Sequence, residues 1–204
     1  VILAADDPGM YSSQNEQDSH WHAQGAHIPI VDPSDAQEAL DFTKQAYEWS
    51  EQFDVPFFVR STVRVSHTRT LVETEPKPYE TDPAKWVMMP AYAKPRRKVQ
   101  LDRIDKLSAW AEECPINKEI IRSNEIGVIC FGAVYQHVIE ALPHASVFKL
   151  GLTWPLPANA LGSFASKVKE VYVIEEASEY LTTQVRALGI ELSAPKNPLP
   201  RDGE

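Results

Sequence analysis

Cysteine is scarce in this sequence. Cys114 and Cys130 are its only thiols and lie far apart in 204 residues. That excludes a disulfide scaffold and any four-cysteine zinc or iron–sulfur site made by this chain alone. It suits a reducing cytoplasm, with both thiols expected to be buried or inert. Positive charge is also in short supply, with 20 Lys and Arg against 29 Asp and Glu and a net charge of −9. Phosphate binding needs clustered cations, so no nucleic-acid partner is expected. The one basic cluster, Lys94-Pro95-Arg96-Arg97-Lys98, lies in a proline-rich stretch and reads as solvated. No apolar run approaches the ~20 residues that cross a bilayer, and no signal-peptide pattern is visible, so no membrane partner is expected. A lone Gly132 follows the run ending at Phe131. Without G-x-G-x-x-G or a Walker-type lysine loop, it is a tight turn rather than a nucleotide fingerprint.

What is present is α/β material, 43% hydrophobic and 24% charged, enough for one large or two small cores. The chain opens at Val1 inside an apolar run, residues 1–5, that reads as a short buried strand. A start in mid-strand is expected of a piece of something longer, and the turn-rich residues 196–204 read as the approach to another domain. The run ends in Asp6-Asp7-Pro8-Gly9-Met10-Tyr11, followed by Ser12-Ser13-Gln14-Asn15-Glu16-Gln17-Asp18. In a parallel sheet this polar cluster falls at the C-terminal end of a strand, where ligands bind. The bland alternative is a polar turn in which Ser12 and Asn15 cap a helix over about 15–26.

Residues 28–31 then form a short strand, and Ser34 with Gln37 fits a capping box for a helix reaching about Phe53. Ala36, Ala39, Leu40, Thr43, Ala46, Tyr47 and Ser50 recur at helical spacing as its inner face. Residues 57–63 form a buried strand ending near Arg64 and His67. The order strand, helix, strand, helix, strand implies parallel pairing with right-handed crossovers. From 73 to 98 periodicity gives way to prolines and charges, a stiff linker, before a helix over about 101–113. The last third alternates strands at 126–131, 146–150, 171–175 and 190–192 with helices at 132–142, 159–168 and 178–188, a compact doubly wound unit.

His20, His22 and His27 suggest a metal, but helix positions i and i+2 face apart, so no metal site is expected there. Asp6, Asp7 and Asp18 are possible Mg2+ ligands, with turn capping the favoured role. Glu175-Glu176 ends a strand and reads as a cap for the helix that follows.

Residues 5–10 and the run Ser12-Ser13-Gln14-Asn15-Glu16-Gln17-Asp18 resemble the alpha chain of the indolepyruvate:ferredoxin oxidoreductases, within the thiamine-diphosphate-dependent 2-oxoacid:ferredoxin oxidoreductases. The likeness continues at Ile28-Pro29, residues 33–39, Val59-Arg60-Ser61-Thr62, residues 64–67, 150–157 and 173–176. It covers nearly the whole chain and is weakest across the proline-rich segment. One departure is His20, where the family commonly carries Arg; histidine titrates near neutrality, so a permanent cation there is in doubt. The resemblance implies residues 1–72 as the second half of a pyrimidine-type thiamine-diphosphate domain, 73–120 as a linker with a helix, and 121–204 as a transketolase C-terminal-like domain.

It implies oxidative decarboxylation of aryl 2-oxoacids to acyl-CoA, with thiamine diphosphate, Mg2+ and [4Fe-4S] clusters in the full enzyme and ferredoxin as electron acceptor. The resemblance implies that the activating glutamate lies upstream of Val1, and the Gly-Asp-Gly motif for Mg2+ and the cluster cysteines do not occur here. The fragment alone is therefore expected to bind none of these cofactors and to be inactive. Its partners would be the remaining domains of the parent chain, a beta subunit, ferredoxin, the 2-oxoacid and CoA, with self-association through an open strand edge. Ser12, Ser13, Gln14, Asn15, Gln17 and Asp18 are the candidate pocket-loop residues, and Arg60, Thr62, Arg64 and His67 rank second. A cationic Arg60 or Arg64 suits either a substrate carboxylate or a structural ion pair. The alternatives are a non-catalytic assembly module and a pyruvate-specific or transketolase-like enzyme.

Overall fold

A computed structural model describes residues 1–69, 90–176 and 178–194. Apolar strand runs and intervening helices build two four-stranded, mostly parallel sheets, the α/β class expected. The first contains β1 (Ile2–Asp6), β2 (Ile30–Val31), β3 (Phe58–Thr62) and β7 (Leu152–Trp154), in the order β1-β3-β2-β7. β3 is parallel to β1 and β2, with Asp6 opposite Thr62, and β7 is antiparallel to β2. The second contains β4 (Lys118–Ile120), β5 (Ile126–Phe131), β6 (Ser146–Leu150) and β8 (Glu170–Ile174), in the order β4-β6-β5-β8. β5 is parallel to β6 and β8, while β4 is antiparallel to β6. The helices are α1 (His20–Ala26), α2 (Ala36–Phe53), α3 (Val63–Ser66), α4 (Pro90–Ala111), α5 (Val134–Ala141), α6 (Ala158–Ser166) and α7 (Tyr180–Ala187).

Several expectations are corrected. β1 is not a buried run: it is an edge strand bonded to β3, with Leu3 71% exposed. The α2 cap lies one residue later than expected, because Asp35 Oδ1 accepts the Glu38 amide at 2.9 Å. Gln37 turns instead to Asp41. Of the expected small-residue row only Ala46 is buried; the inner face of α2 is completed by Phe42 and Trp49. Burying two large aromatic side chains removes more apolar area from water than burying Ala, Thr and Ser. Phe57 and Trp110 pack against Trp49 in that core, and Leu107 and Ala111 of α4 belong to it.

α4 begins at Pro90 rather than near Leu101. A proline suits the first turn, where helix N–H groups have no intrahelical partner. The linker expectation for residues 73–89 lies outside the described residues. Residues 190–192 form no strand; beside β8, Ser193 N donates to Val171 O. β4 is instead the fourth strand of that sheet. The chain leaves β6, passes Gly151 and enters β7, so 152–154 complete the first sheet from within the last third of the sequence. At Gly151 a Cβ would lie 2.6 Å from the Ile116 carbonyl oxygen, so this crossover needs glycine.

Candidate functional site

The site begins where β1 ends. Asp7 accepts three backbone N–H groups, from Tyr11 at 3.1 Å, Ser12 at 2.6 Å and Ser13 at 2.5 Å. Burial opposes ionisation of this carboxyl, yet the three amides hold its pKa below the ordinary value. The chain reverses at Gly9 (φ 78°) and Met10 (φ 57°). A non-glycine residue with left-handed backbone costs about 1–3 kcal/mol, and the charge-assisted bonds to Asp7 offset that cost. The helix expected over 15–26 starts only at His20. Residues 11–15 are bends, with the amides of 11–13 turned to Asp7, and the N-cap Ser19 is held by Asp6. Neither Ser12 nor Asn15 caps α1, whose N-cap is Ser19. Ser12, Gln14 and Asn15 are exposed, and Ser13 and Gln17 half-buried, so the loop presents hydroxyl and amide groups at the strand end.

Beneath the loop lies a buried charge network. Arg60, 2% exposed on β3, donates from Nε to Asp6 Oδ2 at 2.6 Å and from Nη1 to Asp32 Oδ1 at 3.1 Å. Its Nη2 has no hydrogen-bond partner among the described residues. Asp6 also accepts the Ser19 amide at 2.8 Å and its hydroxyl at 2.6 Å. Asp32 follows β2 and accepts the Thr153 hydroxyl at 2.6 Å. His20, fully buried, sits between Asp18 (Nδ1 to Oδ1, 2.5 Å) and Asp32 (Nε2 to Oδ2, 3.1 Å). Its ring stacks on Tyr180 at 4.6 Å and meets the edge of Phe131 at 4.8 Å. Asp18 Oδ2 accepts the Ser178 hydroxyl at 2.6 Å, and Ser178 Oγ accepts Trp21 Nε1 at 2.9 Å.

Electrostatics follow from this geometry. Burial disfavours the charged form of His20, but Asp32 and Asp18 outweigh it and hold the imidazole at about 9. Burial likewise opposes ionisation of Asp32, and His20 with Arg60 pulls its carboxyl down to about 2. Asp18 is lowered against burial by the same histidine. For Arg60, the carboxylates of Asp32 and Asp6 overcome desolvation and raise its pKa.

The second-rank candidates separate. Arg60 forms the structural ion pairs just described. Thr62 is buried and its hydroxyl caps α3, with Val65 N at 3.5 Å. His67 is exposed at the C-cap of α3. Arg64 lies over the Tyr11 ring, donates to the Tyr11 hydroxyl and to His137 Nε2 at 2.9 Å, and pairs with Glu176 at 3.2 Å. It therefore ties the loop to α5 and to the end of β8. Glu175 caps α7 by accepting the Leu181 and Thr182 amides at 2.6 and 2.9 Å, as expected of that pair. His20 serves the network rather than a metal, and no group of three or more His, Cys, Asp or Glu among the described residues could hold an ion.

Sequence reasoning missed Asp32, Thr153, Ser178 and Tyr180 as parts of this assembly. Asp32-Pro33-Ser34 read as a helix start, and nothing local pairs Asp32 with Thr153, 121 residues away. A second connection was missed as well: Lys149, fully buried on β6, donates to Glu38 Oε2 on α2 at 2.6 Å. Burial opposes ionisation of Glu38, and Lys149 overrides it, holding the carboxyl at about 2.

The fold is shared with solved 2-oxoacid oxidoreductase and transketolase structures. One is a 2-oxoglutarate:ferredoxin oxidoreductase from Magnetococcus marinus with 2-oxoglutarate, coenzyme A and succinyl-CoA bound, with a TM-score of 0.63 at 14% identity over 91% of this chain and 43% of that one. Another is a split-gene transketolase in an inactive beta4 tetramer, with a TM-score of 0.52 at 14% identity over 92% of this chain and 52% of that one. At this identity the likeness is one of fold alone. No family model matches the chain. In sequence it is 34% identical to the indolepyruvate oxidoreductase subunit IorA of Archaeoglobus fulgidus over 93% of this chain, and 37% identical to that of Methanothermobacter thermautotrophicus over 92%. The IorA of Thermococcus kodakarensis is 34% identical over 91%. By sequence the chain is similar to these oxidoreductase subunits, and it spans about a third of the length of the curated relatives it matches, 32% in each case.

Proposed function

We propose that the chain is part of an enzyme that oxidatively decarboxylates aryl 2-oxoacids such as indolepyruvate to acyl-CoA, and that residues 12–18 border the substrate side of its pocket. The observation that carries this reading is the loop itself. Exposed Ser12, Gln14 and Asn15 stand at the C-terminal end of β1, on a turn fixed by Asp7. Its likeness to IorA supplies the substrate class.

Thiamine diphosphate is the electron sink in this reading, with Mg2+ and [4Fe-4S] clusters elsewhere in the parent enzyme. The donors present here do not fit the last two. Asp6, Asp7 and Asp18 are committed to Arg60, backbone amides and His20, and the Cys114 and Cys130 thiols are each pushed up to about 12 by burial. Turnover thus depends on the remaining domains of the parent chain, a beta subunit, CoA and ferredoxin, in a cytoplasmic setting. Among the described residues no helix is long and apolar enough to cross a membrane. In the intact enzyme, Asn15→Ala is expected to lower 2-oxoacid-dependent viologen reduction about tenfold, ~1.4 kcal/mol, with an unchanged melting temperature. Wild-type kinetics would remove the loop from the site, and dye reduction by the 204-residue chain alone would overturn the division of labour.

Among the described residues the outer edge of β1 is open, which favours a second role in assembly. Ile2 and Leu3 are exposed on a strand bonded on one side to β3, a template for another strand. The isolated chain is expected to self-associate, and a monomeric sedimentation profile at high concentration would count against this.

A further inference from the structure

We propose that His20, in its doubly protonated form, is the positioning residue that locks the opening loop onto the helix α7 side of the molecule, and that loss of its proton releases Asp18 and the loop. The inference rests on the reading of residues 12–18 as the substrate-side wall only for its catalytic consequence. The lock itself is a matter of geometry.

Each ring nitrogen of His20 faces a carboxylate oxygen, Asp18 on one side and Asp32 on the other. Carboxylates accept and do not donate, and a neutral imidazole carries one N–H. Satisfying both contacts therefore requires the imidazolium. The ring is packed between Tyr180 of α7 and Phe131 of β5, so it has no room to turn to water. The charged groups around it are Asp18 in the loop, Asp32 after β2, Arg60 on β3 and Asp6 on β1. Glu175, after β8, also senses the ring, and the Tyr180 phenol lies on α7. Two cations thus serve the three carboxylates of Asp6, Asp18 and Asp32, and the loss of one leaves Arg60 alone.

The carboxylate that is released is decided by the remaining donors. Asp32 keeps Arg60 Nη1 and the Thr153 hydroxyl, and as the more deeply buried carboxylate it is also assigned the single N–H of the neutral ring. Asp18 keeps only its own helix amide, His20 N at 3.1 Å, and the Ser178 hydroxyl, while facing a ring lone pair. Its side chain is already 9% exposed, against 2% for Asp32, so it has the shorter way to water. Movement of Asp18 breaks the chain Trp21–Ser178–Asp18, which joins α1 and the loop to the start of α7. The sign is fixed: the folded imidazole, held at about 9 against 6.5 ordinarily, keeps its charge and the lock until pH rises through about 9, while its contribution to stability is complete below pH 6.5 and is lost across the interval up to 9.

The test is hydrogen exchange of the peptide covering residues 11–18 in the intact protein between pH 7 and 10, corrected for base-catalysed chemical exchange. Protection is expected to hold at pH 7–8 and to fall in one step centred near pH 9. In His20→Gln, which cannot carry the charge, the loop should be unprotected at every pH with no step. If that variant does not fold, Ser178→Ala leaves the buried charges in place and should lower protection about fivefold to tenfold, the worth of one hydrogen bond, without removing the step. A loop protected evenly to pH 10, a step retained in His20→Gln, or wild-type protection in Ser178→Ala would each overturn the proposal. Turnover measured alongside separates the two readings. A step in exchange with kcat and KM flat across it keeps the lock and removes the loop from the substrate site.

Discussion

Lys149 and Glu38 join β6 of the second sheet to helix α2, and their pairing makes an asymmetric prediction. Lys149 Nζ is fully buried, beneath the rings of Phe42 at 5.1 Å and Tyr135 at 6.0 Å, and the anion it meets is Glu38. Glu38 is better provided for. Its side chain is 15% exposed, and it also accepts from the Ser34 amide at 3.0 Å, the Ser34 hydroxyl at 2.8 Å and Lys118 at 3.0 Å. Glu38→Gln strands an ammonium among aromatic rings and is expected to cost about 3–5 kcal/mol, the range for breaking a buried pair. Lys149→Met keeps the volume and leaves a carboxylate with three other donors and an edge of water, so about 1–2 kcal/mol is expected. The double variant should resemble Lys149→Met rather than the sum, because the stranded charge is gone. Burial already lowers the Lys149 pKa in the paired state. Without Glu38 it falls further, so the Glu38→Gln deficit should shrink as pH rises and the ammonium gives up its proton. Urea unfolding of the 204-residue chain and its variants at pH 7 and pH 9.5 measures all of these. Equal losses in the two single variants, or a double variant as unstable as their sum, would refute the argument.

Gly151→Ala should cost at least ~1–3 kcal/mol, the usual penalty of overpacking, because the new Cβ meets the Ile116 carbonyl oxygen at 2.6 Å and Ile116 Cγ1 at 2.8 Å. An unchanged thermal midpoint would show that the β6–β7 crossover can shift. Cys114 and Cys130 are buried and held protonated, so a thiol reagent at pH 8 should label neither in the folded chain and both in urea. Rapid native labelling of either would contradict its burial.

The parts legible in the sequence are those whose physics is local. β5 and β6 are apolar runs because both lie inside the second sheet, and such runs survive without alternation. α2 was legible in extent but not in facing, since its small residues and its rings both recur at helical spacing and only the partner surface of Phe57 and Trp110 selects the rings. β4 and β7 have three residues each, too short for any period, and exist because longer strands offer them a ladder. The polar character of residues 6–18 pointed to a candidate site. The opposite duties of its two leading aspartates were not legible. Asp7 serves its own loop, whereas Asp6 serves Arg60, 54 residues on.

That division explains why so much charge is buried here. Replacing a buried ion network with apolar side chains is often neutral or stabilising, so cohesion alone does not account for Arg60, Asp6, Asp32 and His20. Direction does. An apolar contact tolerates sliding, whereas Arg60 fixes the ends of β1 and of β2 to β3, and His20 fixes Asp18 over Asp32, each within hydrogen-bond geometry. In the proposed role, a loop that presents exposed Ser12, Gln14 and Asn15 to a ligand needs that kind of support beneath it. The consequence separates the two sets of residues experimentally. Truncating the exposed amides should change kcat while leaving stability alone. Truncating the buried charges should change both, because the same bonds that hold the loop in place also hold the strand ends together.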